Sequence, residues 1–180
     1  MKIGLNMADA VLARRATVIA YDYCISSCAN YIFGGAARRV VFHDAILGFH
    51  GGATYIPRED ILADFKKAGV ANPVEATRNA LVDLNRTIYR QNRFLKAAGI
   101  DTHFFQWVDA FNHLPEERRK AICGEEADFF VFSSAFLKSY GFSIAVNEGP
   151  HSPTELKTAL KGIKAPSSIA CYVGIEHRTL

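Results

Sequence analysis

Apolar positions change period several times along the chain. Met7, Ala8, Val11, Leu12 and Ala16 recur at helical spacing within MKIGLNMADAVLARRA, which predicts an amphipathic helix, and TVIAY (17–21) then reads as a buried strand. After the pentapeptide CISSC (24–28), the small-residue run CANYIFGGAA suits a helix packed closely on a sheet and ended by Gly34 and Gly35. RRVVF (38–42) and AILGFH (45–50) are two further strand-like runs, separated by His43 and Asp44. HGGATYIPRED is punctuated by glycine and proline and reads as a loop.

The second half is helical. Val74, Leu81, Leu84, Ile88 and Leu95 recur at helical intervals from Pro73 to Ala98, opposite a polar face, and predict one long surface helix. HFFQWVDAF predicts another, and SSAFLKSYGF a short helix opened by a serine and closed by Gly141. Beyond HSPTELKTALKG, the tail PSSIACYVGI adds a candidate edge strand, so 151–180 reads as a C-terminal extension of a domain over 1–150. The pattern is α/β at first and helical later.

Composition narrows what such a chain does. At 180 residues, 49% hydrophobic and 22% charged, it can bury a core without help from metal or disulfides. The net charge of +3 is small and its basic residues are scattered among acids, which argues against a nucleic-acid partner. No apolar run reaches the length of a membrane span, and the N-terminal stretch lacks the apolar core and cleavage site of a signal peptide. Four cysteines at this length neither demand a disulfide framework nor exclude one.

CISSC carries the chemistry. Three residues between its cysteines are one too many for a thioredoxin-type pair. Cys24 and Cys28 with His43 and His50 make a possible zinc set, although the intervening segments look like core helix and strand. Two small buried thiols flanking a turn is the plainest reading of the cysteines. In an oxidising compartment the pair would instead close a small loop that rigidifies the site. A strand ending at Cys24 and a helix beginning near Ser27 would put Ser26 on an exposed turn beside the helix's first amides. Ser26 then either attacks a carbonyl, with the N–H of Ser27 stabilising the oxyanion, or one of the two serines simply caps the helix.

SSCANYIFGGAARRVVFHDAILGFHGG (26–52) resembles the Clp-type serine peptidases of the ClpP/crotonase fold. Those enzymes carry a serine in a small-residue turn, a helix, a basic turn and a strand ending in the catalytic histidine. The closer likeness is to often exported bacterial proteins with a C-x-S-x-C turn and a strand ending GFH. More weakly, 75–98 resembles the long helix that builds the family's oligomers, and DFFVFSSAFLKSYGF the segment bearing its third catalytic residue.

The resemblance implies an α/β superhelix of β-α units with a handle-type helix, acting without a cofactor or metal on a peptide or small acyl substrate, and assembling as a homo-oligomer. Ser26 is then the nucleophile, Ser27 the oxyanion-hole residue and His50 the general base. Asp128 lies nearest the third catalytic position, with Glu126, Glu125 or a two-residue Ser–His site as alternatives. His43, His103, His113, His151 and His177 have no such role and read as surface or structural.

In the family a strand and glycine-rich turn precede the first helix, and Met1 falls almost where that turn would end. The resemblance therefore implies that the first strand and any signal peptide are missing, that the edge beside TVIAY is open or covered by the tail, and that activity is weak. It favours an exported, periplasmic location, with the cytoplasm as the alternative. Two functional classes follow: a serine hydrolase, and a catalytically silent module of the same fold that self-assembles or binds peptides.

Overall fold

The computed structural model describes residues 2–124, 127–166 and 169–179. It is a mixed α/β structure, mostly helical, with small parallel sheets. Helix α1 (Lys2–Ala13) leads into strand β1 (Thr17–Ala20). The predicted strand ends there because Asp22 takes a left-handed backbone (φ +59°), and a second short strand, β2 (Tyr23–Ile25), starts immediately after it. The helix after CISSC spans Cys28–Phe33 and is a π-helix, in which the Gly34 N–H reaches back to Ala29 O at 3.3 Å.

Strand β3 (Arg38–Val41) pairs in parallel with β1, and β4 (Ile46–Gly48) in parallel with β2. Both crossovers pass through the segment carrying the π-helix or its neighbouring turns, as parallel pairs require. Strand β6 (Val146–Asn147) joins the far side of β3, giving the order β1-β3-β6. Strand β5 (Phe129–Phe132) meets β4 at an antiparallel bridge between Phe49 and Phe130.

The segment 58–67 forms a helix, α2 (Arg58–Lys67), that the reading of HGGATYIPRED as a loop did not anticipate. Its signals are charge rather than periodicity: Glu59 and Asp60 in the first turn and Lys66 and Lys67 in the last, favourable to the helix dipole. It packs along α3 (Pro73–Ala97), which runs as predicted and is capped by the Asn72 side chain accepting from the Glu75 N–H. Together α2 and α3 form an arm. Only Thr77, Gln91, Phe94 and Leu95 of α3 are buried.

Helix α4 (Phe104–Asn112) is buried through Phe104, Phe105, Trp107, Val108 and Phe111, at the centre of an aromatic core with Phe49, Phe130 and Phe132. Helix α5 (Glu116–Cys123) follows, and α6 (Ser134–Ser139) opens on Ser133, whose hydroxyl accepts from the Phe136 N–H. At Gly141 (φ +88°) a Cβ would collide with the carbonyl of Gly99, so this turn needs glycine.

The strand of the tail does not lie beside TVIAY. Helix α7 (Pro153–Gly162) buries Leu156 and Leu160 against Ile46 and Val131, and strand β7 (Ala170–Val173) pairs in parallel with β5. A disulfide from Cys123 to Cys171 ties β7 to the end of α5. The outer edge of β1 has no partner strand among the described residues. No described helix is long and apolar enough to cross a membrane.

Candidate active site

Ser26 and His50 follow the ends of two adjacent parallel strands. The register sets Ile25 against Gly48, and the Ser26 N–H continues the ladder by donating to Gly48 O at 3.0 Å. Glycine is required at 48, since a Cβ there would collide with the Ile25 side chain. Ser26 itself has φ +60°, a conformation a non-glycine residue holds only when its surroundings impose it. The disulfide Cys24–Cys28, with Cα atoms 5.3 Å apart, closes the chain on both sides of this residue.

The Ser26 hydroxyl lies 2.6 Å from His50 Nε2, and His50 Nδ1 lies 2.6 Å from the carbonyl oxygen of Gly51. A carbonyl only accepts, so Nδ1 carries a proton, and in the neutral imidazole Nε2 then offers its lone pair to the serine. That is the tautomer a general base needs. Ser27 has helical angles in the first turn of the π-helix, where amides lack intrahelical acceptors. Its side chain makes no capping bond and packs instead on Gly4 of α1. Because Ser26 Oγ is engaged by His50, neither serine side chain caps the helix, and that alternative is corrected.

Asn30 is a residue that sequence reasoning missed. It is fully buried, its backbone N–H donates to Ser26 O at 2.8 Å, and its Nδ2 donates to His50 O at 3.0 Å, so it binds the backbones of both residues at once. Its Oδ1 is buried without a protein partner. Gln91, reaching from α3, clamps the next stretch of the loop: Oε1 accepts from the Ala53 N–H and from Tyr31, and Nε2 donates to Ala53 O. A Cβ at Gly52 would come within 2.7 Å of the Phe105 ring, so glycine lets the loop settle there. Burial pushes the Tyr31 hydroxyl up to about 12.

Asp128 is not brought to this site. It precedes Phe129 at the start of β5, and strand alternation sends neighbouring side chains to opposite faces. The Phe129 ring stands 6.1 Å from the His50 ring, while Asp128 lines a separate cleft with Phe111, Asn112 and Glu116. Glu125 and Glu126 lie outside the described residues. The imidazole's partner is thus a backbone carbonyl in place of the expected carboxylate.

The zinc set is likewise not assembled, because Cys24 and Cys28 are bonded to each other and His50 is bonded to Ser26. Reading these cysteines as free buried thiols is corrected as well, and the pairing of Cys123 with Cys171, 48 residues apart, had no sequence signal. Among the remaining histidines, His103 pairs with Asp101 at the surface and holds that carboxyl below its usual range, chiefly through the His103 backbone N–H.

Arg39 is buried despite its place in a basic pair. Its guanidinium donates to the carbonyls of Phe33, Gly34 and Ser143, closing the C-terminal end of the π-helix, and desolvation lowers its pKa. No protein-family model, curated protein or solved structure matches this chain.

Proposed function

We propose that this protein is a serine hydrolase of the Clp type, with a peptide or a small acyl compound as substrate. The observation that carries the reading is the 2.6 Å contact between Ser26 Oγ and His50 Nε2 on a left-handed strand-to-helix turn. In this mechanism His50 removes the hydroxyl proton as Ser26 attacks the carbonyl carbon. The N–H of Ser27 receives the developing oxyanion, and His50 returns the proton to the leaving group. Water, deprotonated by the same imidazole, then hydrolyses the acyl-enzyme. Gly51 O takes the orienting place that a carboxylate fills in a three-residue site. Nucleophile, base and oxyanion donor all come from the chain.

The paired β-α units and the projecting arm support assigning the ClpP/crotonase fold. The exposed Val74 and Val82 on that arm support self-association through it. Two disulfides favour an oxidising, extracytoplasmic compartment. The competing reading, a silent module of the same fold, draws on the neutral carbonyl behind His50, which stabilises an imidazolium less than a carboxylate does.

Ester and peptide hydrolysis by site variants tests the proposal. Ser26→Ala abolishes turnover with the fold intact, whereas Ser27→Ala costs little because only its backbone acts. Turnover that survives Ser26→Ala refutes it.

A further inference from the structure

Parallel sheets are ordinarily covered on both faces, yet among the described residues the sheet β1-β3-β6 is covered on one. Its inner side buries Ala20, Arg39 and Val41. On its outer side the registers align Thr17 with Arg38, then Ile19 with Val40 and Val146. Two residues further along each strand come Tyr21, Phe42 and Glu148, on the same face by alternation. The Tyr21 and Phe42 rings stack at 5.7 Å. Ile19 is 60% exposed, Tyr21 63%, Phe42 43% and Val146 38%, so this is a contiguous apolar and aromatic patch rather than scattered single residues.

Charge divides the ends of this patch. Where the strands begin, Arg14, Arg15 and Arg38 are exposed, and the Ala37 and Arg38 amides meet Ala16 O, which holds the two segments together. Where the strands end, Asp22, Asp44 and Glu148 are exposed. The Asp44 N–H donates to Glu148 O, the Ile46 N–H to Asp22 O, and the His43 N–H to the Glu148 carboxylate. Arg38 and Glu148 are separated by about 13 Å along the strands, with the Ile19–Val40–Val146 row midway between them.

A face that is basic at one end, acidic at the other and apolar between is complementary to itself. A two-fold axis along the Ile19–Val40–Val146 row turns the strands antiparallel and sets the basic end of one copy over the acidic end of the other. We propose that two copies of this chain pair face to face through the outer side of this sheet, with Ile19, Tyr21, Phe42 and Val146 in the contact and Arg38 one strand across from Glu148 of the second copy, within side-chain reach. This surface is distinct from the α2–α3 arm and does not depend on the hydrolase reading.

Light scattering and sedimentation at micromolar concentration, on variants whose circular dichroism matches the parent, test the pairing. The parent sediments as a dimer or, where the arm also pairs, as a larger assembly built of such dimers, and Ile19→Glu or Val146→Glu weakens the sheet-face association by roughly 10-fold or more. Arg38→Glu sets two carboxylates against each other where Arg38 met Glu148, and Glu148→Arg sets two guanidinium groups there, so each variant alone associates more weakly than the parent, while an equimolar mixture of the two restores the opposite-charge pairs and forms a heterodimer. A monomeric parent would overturn the proposal. So would a dimer unaffected by Ile19→Glu and Val146→Glu, or one dissociated by Leu81→Glu on the arm but not by Ile19→Glu.

Discussion

At the scale of single residues, side chains were legible in the sequence where chemistry restricts their type. Ser26 and His50 stood out because a serine in a small-residue turn and a histidine ending a strand are few in this chain, and both meet at 2.6 Å. Asn30 and Gln91 did not, because an amide in a helix carries no signal of its own until its distant partner is known. Asn30→Leu leaves His50 O without its donor but also removes the unpaired buried Oδ1, so the two effects oppose each other and the net change in stability is small. Its effect on turnover is not, since a displaced imidazole loses alignment. We expect kcat to fall about 10- to 100-fold with KM nearly unchanged. Equal kinetics in parent and variant would show that Asn30 does not position the base. Tyr31 gives a pH signature. Its folded pKa is raised, so its contribution to stability is complete below about pH 10, the unfolded value, and is lost as pH rises towards 12. Ultraviolet titration should find one tyrosine that ionises only near pH 12 in the folded protein and is absent from Tyr31→Phe.

At the scale of elements, long periodic segments were the most legible, and α3 matches its apolar stripe within one residue at its C-terminal end. Short elements were not. Helix α2 buries no residue and so has little apolar pattern to read, and β2 is three residues long, set apart only by the left-handed turn at Asp22. The partner of β7 could not be read either, because pairing with β5 instead of β1 depends on where α7 docks. The two disulfides separate stability from activity. By loop closure, Cys123–Cys171 contributes about 4 kcal/mol and Cys24–Cys28 about 2 kcal/mol. Only the smaller loop contains Ser26, the proposed nucleophile. The double variant Cys24→Ser with Cys28→Ser should therefore lose more activity but less thermal stability than Cys123→Ser with Cys171→Ser. Parallel losses of melting temperature and turnover in both would mean that the small loop acts on the fold alone.

At the scale of the whole molecule, α/β character was evident from the order of strand-like and helical runs, but the arrangement of sheets was not. Pairing across 128–173 is set by the aromatic core that gathers Phe49, Phe104 and the β5 pair Phe130 and Phe132 from three distant segments, and local periodicity does not encode which segments meet. What that arrangement achieves is to bring the ends of β2 and β4 side by side, so that Ser26 and His50, 24 residues apart, share a hydrogen bond. The central claim is that this pair performs acyl transfer. Incubation with a fluorophosphonate, followed by mass spectrometry of the proteolysed protein, tests it most directly. The account predicts one covalent adduct on Ser26, absent from Ser26→Ala and strongly slowed in His50→Ala. A folded protein that takes up no label, or takes it up at another residue, would contradict it.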